Sequence, residues 1–193
     1  MSPVKKAKTH KPNQLRIIGG LWRGRKLTFP ASSALRPTPD RVRETLFNWL
    51  APVIHGARCL DLFAGSGALG LEALSRGAAR AVLIDRDPHI IAHLRAHLAT
   101  LHAQGAELIQ ADALQFLQNP AHEKFDIVFL DPPYHQGLLE PCCRHLEHHG
   151  WLSPGARVYL EAEAELGAIN LPPHWRLTHS KKAGQVGYHL AER

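Results

Sequence analysis

A carboxylate, two prolines and a tyrosine follow the apolar run FDIVFL. At the end of a strand, the Asp131 carboxylate and the Pro132 carbonyl could accept both N–H bonds of an exocyclic amino group on a nucleobase. This arrangement would aim the nitrogen lone pair at a methyl donor, and proline would hold the carbonyl in place because it fixes φ. Pro133 and Tyr134 complete the stretch, and Tyr134 could stack on the base, a contact of about 1–3 kcal/mol. The stretch predicts a site for amino-group methylation, with a strand that simply ends in a turn as the alternative.

A glycine-rich segment, LDLFAGSGALG, follows the first strand of the α/β region. Gly65, Gly67 and Gly70 form a G-x-G-x-x-G pattern, which allows a tight turn and a close approach of a ligand to the backbone. Asp85 closes the next strand, where its carboxylate could accept hydrogen bonds from ribose hydroxyls. These features suit NAD as well as S-adenosylmethionine.

Two further carboxylates favour S-adenosylmethionine over NAD. Asp61 lies four residues before Gly65, where it could bind a free amino group of the ligand but would repel a pyrophosphate. A buried Asp61 without such a role is the alternative, although burying an unpaired carboxylate is costly. Asp112 follows the third strand and could accept from an adenine amino group, or it could simply cap the next helix. Nothing in the chain resembles a separate hydride-acceptor domain.

Positive charge is concentrated in the first quarter of the chain. Residues 1–50 contain 11 Lys and Arg against two acids, a net charge of +9, whereas residues 51–193 contain 12 against 15, a net charge of −3. This asymmetry predicts a basic arm or face for a polyanion, and nucleic acid is the first candidate. A solvated basic tail without a partner is the alternative.

Composition argues against several other classes of protein. No stretch approaches the roughly 18 apolar residues of a membrane span, and the basic N-terminus is not followed by the apolar run of a secretory signal. Cys59, Cys142 and Cys143 do not form the pattern of a disulfide framework. We therefore expect a cytoplasmic protein that contacts no membrane.

Histidines are numerous, but their pattern does not predict a metal site. His89, His93 and His97 recur at i, i+4 and i+8 on one predicted helix. A second predicted helix carries Cys142, Cys143, His145, His148 and His149. No second Cys-x-x-Cys accompanies them, so we interpret them as solvated helix faces. No group that would activate either cysteine as a nucleophile is recognisable.

The elements that must position these residues fall into three segments. Residues 1–14 are predicted to be a basic flexible tail. Residues 15–57 form an extension, with a hairpin followed by a helix that has Thr38 as its N-cap and Pro39 at its first position. From residue 58 to residue 193, strands alternate with helices, which predicts a mostly parallel sheet covered on both faces. The last two predicted strands are joined by KKAG, so the sheet is expected to end in an antiparallel hairpin.

Taken together, these motifs resemble the class I S-adenosylmethionine-dependent methyltransferases. In order and spacing they are similar to the RsmD family of bacterial 16S rRNA guanine-N2-methyltransferases, over roughly residues 15–191. The segments that carry the resemblance are RIIGGLWRGRKL, RPTPDRVRETLFNWL, DLFAGSGALGLEALSRGA, DPPY and KKAGQVGYHL. Many methyltransferases share the glycine-rich loop and DPPY, so the segment RPTPDRVRETLFN makes the match specific. The family implies a Rossmann-like fold with a seven-stranded sheet.

The resemblance also implies an activity and a set of site residues. It implies methyl transfer from S-adenosylmethionine to N2 of guanine 966 of 16S rRNA, in the small ribosomal subunit or a late assembly particle, by a monomer without a metal. Asp131, Pro132, Pro133 and Tyr134 would receive the guanine. The implied cofactor contacts are Thr38, Asp61, Phe63, Gly65, Gly67, Asp85, Arg86, Asp112 and Ala113. The implied RNA contacts are Arg23, Arg25, Lys26, Arg36 and Arg41.

Three alternative functions stay open at the level of sequence. DPPY also occurs in adenine-N6 methyltransferases of RNA or DNA, so the identity of the base rests on the family resemblance. A catalytically inert RNA-binding module and an NAD-dependent dehydrogenase are the other two. The intact motifs around Asp61 and Asp131 argue against the inert module.

Overall fold

Two layers of helices cover a central sheet. The computed structural model describes residues 13–29, 38–167 and 169–193. The predicted RNA contact Arg36 and the predicted basic tail up to residue 12 lie outside these ranges. The elements, in chain order, are β1 (Asn13–Arg16), β2 (Lys26–Phe29), α1 (Asp40–Leu50), β3 (Arg58–Asp61), α2 (Gly70–Ser75), β4 (Arg80–Asp85), α3 (Pro88–Leu101), β5 (Ala106–Gln110), α4 (Ala113–Leu117), β6 (Phe125–Leu130), α5 (Leu139–His148), β7 (Leu152–Glu163), β8 (Arg176–Ala183) and β9 (Val186–Glu192). Within the described ranges, no helix is both long and apolar enough to cross a lipid bilayer.

The seven-stranded sheet has the mixed topology that the sequence predicts. Its strand order is β5-β4-β3-β6-β7-β9-β8, in which the first five strands are parallel and β9 is antiparallel to both β7 and β8. The parallel strands contain apolar runs such as AVLI and IVFL because helices bury both of their faces. A separate antiparallel hairpin, β1–β2, begins two residues before the predicted one. The predicted α/β fold class is confirmed.

Apolar stripes on the helices divide the core into two halves. α1, α2 and α3 pack on one face of the sheet with the β1–β2 hairpin, and α4 and α5 pack on the other. On α5, the buried residues Leu139, Cys142, Cys143 and Leu146 are spaced i, i+3, i+4 and i+7, which forms one stripe. Pro141 lies in the first turn, where a backbone N–H has no helical partner, so the predicted helix forms despite it.

Helix α1 begins later than the sequence predicts. The prediction of Thr38 as N-cap is wrong, because the helix begins at Asp40 and Pro39 occupies the N-cap position without a side-chain cap. The Pro39 carbonyl accepts the Arg43 N–H at 3.1 Å, so the helical hydrogen bonds start there. The Thr38 hydroxyl donates instead to Asp131 at 3.3 Å. A long-range contact has replaced the expected local cap.

A buried ion cluster joins α1, α2 and the β1–β2 hairpin. Arg43 is only 1% exposed, and its guanidinium lies 3.5 Å from the Glu72 carboxylate. It also donates to the Thr38 carbonyl at 3.2 Å. Glu72, which is fully buried, accepts its hydrogen bonds from the Arg76 side chain at 2.8 Å and the Ile18 N–H at 2.9 Å. The cluster fixes the N-terminal extension against the rest of the fold.

Replacing Arg43 should therefore destabilise the protein. Arg43→Met keeps most of the side-chain volume but removes one of the two cationic side chains, Arg43 and Arg76, that pair with the buried Glu72 in the described ranges. Breaking one side of a buried ion pair costs about 3–5 kcal/mol, and we expect the lower end because Arg76 stays in place. The free energy of unfolding in urea measures the effect. Arg41→Met, an exposed position on the same helix, is the control and should stay within about 0.5 kcal/mol; equal values for the two variants would contradict the prediction.

The histidines of α3 do not all lie on a solvated face. His89 and His93 are exposed, but His97 is buried and its Nε2 lies 2.9 Å from the Thr28 carbonyl oxygen. Burial lowers the pKa of His97. The interpretation of this row as solvated is thus wrong for His97, because the β1–β2 hairpin packs over that turn of the helix. The predicted cap is confirmed, since the Asp87 side chain accepts the His89 N–H at 2.8 Å.

Candidate active site at the carboxyl edge of the sheet

Five carboxyl groups follow one another along the carboxyl edge of the parallel strands. Because the strand order is β5-β4-β3-β6-β7, they succeed one another across the sheet in the order Asp112, Asp85, Asp61, Asp131 and Glu161. Neighbouring strands are about 4.8 Å apart, so the row spans roughly 19 Å. The chain reverses its direction across the sheet between β3 and β6, and open α/β sheets bind ligands at such a point. The structure thus brings the four predicted aspartates together and adds a glutamate.

The glycine-rich loop between β3 and α2 folds tightly over two of these carboxylates. Gly65 and Gly67 have φ angles of +50° and +81°, which glycine adopts without strain. A Cβ at Gly67 would lie 2.7 Å from neighbouring leucine side chains. The Gly70 N–H donates to Asp61 and the Gly65 N–H donates to Asp85, each at 3.0 Å. The predicted loop therefore brings the backbone close to both acids.

Asp61 is a buried carboxyl group that forms no ion pair with any residue of the described ranges. It is 2% exposed. Burial raises its pKa to about 7 against the opposing hydrogen bonds from the Gly70 and Phe63 N–H groups, and the charge of Asp85 adds to the rise. A positively charged ligand group would stabilise the ionised form of such an acid. Asp61 is therefore suited to bind an ammonium group.

Asp85 and Asp112 are both engaged by backbone N–H groups. Asp85 accepts the Asp87 N–H at 2.9 Å in addition to the N–H of the glycine-rich loop. Asp112 caps α4, since one of its oxygens accepts the N–H groups of Leu114 and Gln115 at 3.0 and 3.1 Å. The alternative role of Asp112 as a helix cap is therefore observed. Its second carboxylate oxygen has no donor within the described residues and could still accept from a ligand.

Three more predicted cofactor contacts lie next to this row of acids. Phe63, at the start of the glycine-rich loop, is half-buried. Arg86 is exposed and directly follows Asp85, while Ala113 is buried and directly follows Asp112. The structure places all three at the same sheet edge, and their contact with a cofactor stays a prediction.

Asp131 lies between the parallel sheet and the N-terminal extension. The Thr38 hydroxyl donates to it at 3.3 Å. Burial raises the pKa of Asp131 well above its usual range, the charges of Glu161 and Asp61 raise it further, and the Thr38 hydrogen bond opposes them. The extension thus reaches the DPPY motif, which the sequence could not show.

Tyr134 is held by a glutamate outside the DPPY motif. Its hydroxyl donates to Glu161 at 3.1 Å, and the Tyr159 hydroxyl donates to the other carboxylate oxygen at 2.8 Å. Glu161 is 3% exposed, whereas Tyr134 is 37% exposed, so part of the Tyr134 ring is accessible to a ligand. Sequence reasoning missed Glu161; an acid inside the apolar strand VYLEA, two residues after a tyrosine, is the feature that could have revealed it.

A cavity of about 360 Å³ opens beside the motif. Pro132, Pro133 and Tyr134 line one side, and Glu161 and Glu163 line another. Sites for small molecules usually measure about 300–1,000 Å³, so the cavity is large enough for a base. Its acidic wall suits hydrogen-bond donors, such as amino groups and ring N–H groups, and disfavours phosphates.

The predicted RNA contacts in the described ranges are exposed: Arg23, Arg25, Lys26 and Arg41. The Trp22 N–H donates to the Ser75 hydroxyl at 2.9 Å, which places the tip of the hairpin at the C-terminal end of α2. That end points away from the glycine-rich loop, because α2 begins at Gly70 beside Asp61. The basic hairpin tip therefore lies on the flank of the protein and not at the site itself.

The cysteines are buried and poorly suited to nucleophilic chemistry. Cys59, Cys142 and Cys143 are inaccessible to solvent, so the interpretation of the second histidine-bearing helix as a solvated face is wrong for Cys142 and Cys143. Burial raises the pKa values of all three, that of Cys142 to about 12. A thiolate is therefore disfavoured at all three. In the part of the chain that the structure describes, no three His, Cys, Asp or Glu residues are arranged to hold a metal ion.

The chain is similar to known proteins over almost its whole length. The family described as Conserved hypothetical protein 95 matches residues 15–192. Ribosomal RNA small subunit methyltransferase D of Escherichia coli is 54% identical over 188 residues, which cover 95% of this chain and 94% of that protein. The protein of the same name from Haemophilus influenzae is 47% identical over 180 residues, which cover 92% and 93%. A solved structure of yhhF from Escherichia coli is 52% identical and superposes with a TM-score of 0.87 over 94% of this chain and 98% of that one. The chain therefore belongs to the RsmD methyltransferase family that its sequence motifs indicate.

Proposed function

We propose that this protein transfers a methyl group from S-adenosylmethionine to N2 of guanine 966 of 16S rRNA. Its relatives are named as ribosomal RNA small subunit methyltransferases, which supports small-subunit rRNA as the substrate. We propose the small subunit or a late assembly particle as the acceptor. The enzyme is proposed to act in the cytoplasm as a monomer.

The order of the carboxylates along the sheet edge carries this proposal. Along the sheet edge, three acids follow one another in the order Asp112, Asp85 and Asp61. This order matches that of the adenine, the ribose and the amino group along S-adenosylmethionine. Asp131 comes next, where the methyl acceptor would have to lie. One extended ligand can therefore satisfy three acids, with its methyl-bearing sulfur between the ribose at Asp85 and the amino group at Asp61, on the side of the sheet edge that Asp131 occupies.

The charge of the site also fits this cofactor. When bound, S-adenosylmethionine supplies a methyl group on a positively charged sulfur. Asp61 and Asp131 have raised pKa values and no ion pair with any described residue, so a ligand with a positive amino group and a positive sulfur would stabilise both carboxylates. The pyrophosphate of NAD would be repelled by them, which argues against a dehydrogenase.

The residues of the DPPY motif have separate roles in the proposed reaction. Asp131 and the Pro132 carbonyl accept the two N–H bonds of the guanine amino group and so orient its lone pair. Tyr134 stacks on the base, with its ring fixed through the Glu161 carboxylate. The nitrogen must lose a proton as it gains the methyl group, and Asp131 can accept that proton. Catalysis rests mainly on positioning, because a single displacement in line needs no covalent enzyme intermediate.

We also propose that the N-terminal extension completes the site. The segment 15–57 would cover the cofactor and contact RNA, while residues 58–193 form the methyltransferase domain. The hydrogen bond from Thr38 to Asp131 supports this division of roles, because it links the extension to the motif. The buried Arg43–Glu72 cluster supports it as well, since it fixes α1 over the domain.

Methylation of adenine at N6 is the second candidate. Guanine presents N–H donors at both N1 and N2, whereas adenine presents an acceptor at N1. The acidic wall formed by Glu161 and Glu163 therefore favours guanine in the cavity. Identification of the methylated nucleoside distinguishes the two candidates.

The test is a transfer assay with radiolabelled S-adenosylmethionine and small subunits from cells that lack the modification. Nucleoside analysis of the product identifies the base and atom. A single N2-methylguanosine is expected. N6-methyladenosine would contradict the proposed substrate but not the donor, and the absence of transfer with cofactor bound would overturn the acceptor altogether.

The basic hairpin should contribute to RNA affinity through phosphate contacts. Replacing Arg23, Arg25 and Lys26 by Ala should weaken binding to small subunits and reduce the slope of log K against log salt by about 2 to 3. Binding at several salt concentrations measures the slope. An unchanged slope would mean that the hairpin does not contact RNA.

A further inference from the structure

Aromatic and basic side chains cluster where α1 meets the β8–β9 hairpin. The Trp49 ring stacks on His179, with centroids 4.8 Å apart and planes at 27°. Tyr188 stacks on the same ring at 5.6 Å, and the Lys181 ammonium lies 5.9 Å from its centroid. Lys182 follows on the opposite face of β8. We call Trp49, His179, Lys181 and Lys182 the α1–β8 surface.

The two lysines of the α1–β8 surface are free to bind an anion. Both are exposed, as is His179. Neither Lys181 nor Lys182 forms a salt bridge within the described ranges. Arg176, on the same strand, differs because it lies 3.5 Å from the Glu192 carboxylate. Within the described ranges, no neighbouring acid therefore offsets the positive charges of Lys181 and Lys182.

The strand pairing places the lysines at the same sheet edge as the DPPY motif. Since β9 is antiparallel to β7, its first residues lie where β7 ends: Glu163 pairs with Val186, and Val186 pairs with Ala183 of β8. The Glu163 carboxylate in turn accepts the His135 N–H. Two strand spacings, about 10 Å, separate Glu163 from β8. Lys182 precedes Ala183, so the surface begins about that far from the candidate site.

We propose that the α1–β8 surface binds phosphates of the RNA strand that flanks the target base. The inference rests on the proposed function and adds a second contact region to the basic hairpin, which lies on the flank of α2. A base delivered to the acidic cavity brings phosphates that the cavity itself would repel. Two lysines without an ion pair in the described ranges lie about 10 Å away, Lys181 beside the Trp49 ring and Lys182 on the other face of the same edge strand, and they provide the complementary charge for those phosphates.

A structural role for the lysines must be distinguished from RNA binding. β8 is an edge strand of the sheet, and charged residues on edge strands prevent pairing with other chains. Replacement by glutamate separates the two roles, because it keeps a charge on the edge but repels phosphate. Lys181→Glu/Lys182→Glu should lose RNA affinity if the surface binds RNA, and should behave like the unsubstituted protein if the lysines only protect the edge.

The experiment measures binding and methylation of unmodified small subunits from about 50 to 200 mM salt. Lys181→Ala/Lys182→Ala should reduce the slope of log K against log salt by about 1.4 to 1.8 and raise KM for subunits more than it lowers kcat. The glutamate pair should bind more weakly still. Lys124→Ala/Arg144→Ala removes the same charge from exposed positions before β6 and on α5, and it should match the unsubstituted protein.

The outcomes separate this inference from the proposed function. If the unsubstituted enzyme methylates subunits but both lysine variants keep its salt slope and KM, the inference is overturned. If the alanine pair and the control pair lose affinity equally, the effect is one of net charge and the inference is again overturned. If the unsubstituted protein binds subunits without methylating them, the proposed function fails, while the salt slopes still test the surface.

Discussion

Asp131→Ala is expected to lower kcat by at least about 100-fold, the lower end of what a positioned proton acceptor contributes. In the proposed reaction the Asp131 carboxylate both orients the amino group and accepts its proton, and no other described acid occupies the same place beside Thr38. The cofactor should still bind within about tenfold of its normal affinity, because Asp61, Asp85 and Asp112 remain. Single-turnover transfer and equilibrium cofactor binding measure the two effects separately.

The matched variant for this experiment is Asp131→Asn. Asparagine keeps an acceptor for one N–H bond but cannot accept a proton, so its activity should lie between those of Asp131→Ala and the unsubstituted protein. Asp131→Asn should also have a higher Tm at pH 8 than the unsubstituted protein. The pKa of Asp131 is raised because the folded state disfavours its carboxylate form. Ionisation of Asp131 at high pH therefore lowers the stability of the unsubstituted protein, whereas the neutral amide of Asn does not ionise. Weakened cofactor binding with normal turnover would contradict the assigned role.

The affinity for S-adenosylmethionine should rise with pH up to about pH 7 and then level off. Burial raises the pKa of Asp61 to about 7 in the free protein, and an ammonium group binds the ionised carboxylate. Below that pH, binding must displace a proton from Asp61, which costs up to about tenfold in affinity for each pH unit. Cofactor titrations between about pH 5.5 and 8 measure the effect, and calorimetry in two buffers detects the released proton.

The stability of the cofactor-free protein should change with pH in the opposite direction. The folded-state pKa of about 7 exceeds the ordinary value of 3.8, so Asp61 lowers the free energy of unfolding as the pH rises through this interval. Asp61→Asn is the control for both measurements, because it keeps the acceptor for the Gly70 N–H and removes the titration. Subtracting its pH profile from that of the unsubstituted protein also removes the contribution of the histidines. Identical profiles would show that Asp61 does not titrate in this range.

Much of the fold could be predicted because its cause is local. Apolar runs such as FDIVFL define buried strands whatever surrounds them, and Asp87 caps α3 through a hydrogen bond to a residue only two positions away. The glycine-rich loop and DPPY are equally local, so Asp61, Asp85, Asp112 and Asp131 could be selected as site residues from sequence alone. Their types indicate what they can bind, because a carboxylate accepts hydrogen bonds and attracts cations wherever it lies.

What the sequence could not show depends on contacts between distant segments. Threonine commonly caps helices, yet Thr38 donates its hydroxyl hydrogen bond to Asp131, 93 residues later in the chain. Arg43 lies on a turn of charged residues, yet the packing of α1 on α2 buries it against Glu72. Glu161 becomes part of the site because β7 lies beside β6 and turns its carboxylate toward Tyr134.

The sequence by itself determined the elements, the chemistry of the acids and the family. The tertiary structure alone decided the order of those acids along the edge, since strand order does not follow chain order. It also raised the pKa values of Asp61 and Asp131, because burial and neighbouring carboxylates arise only when β3, β6 and β7 come together. The hydrogen bonds that a side chain can form depend on its residue type, whereas its proton affinity and its neighbours depend on the folded arrangement.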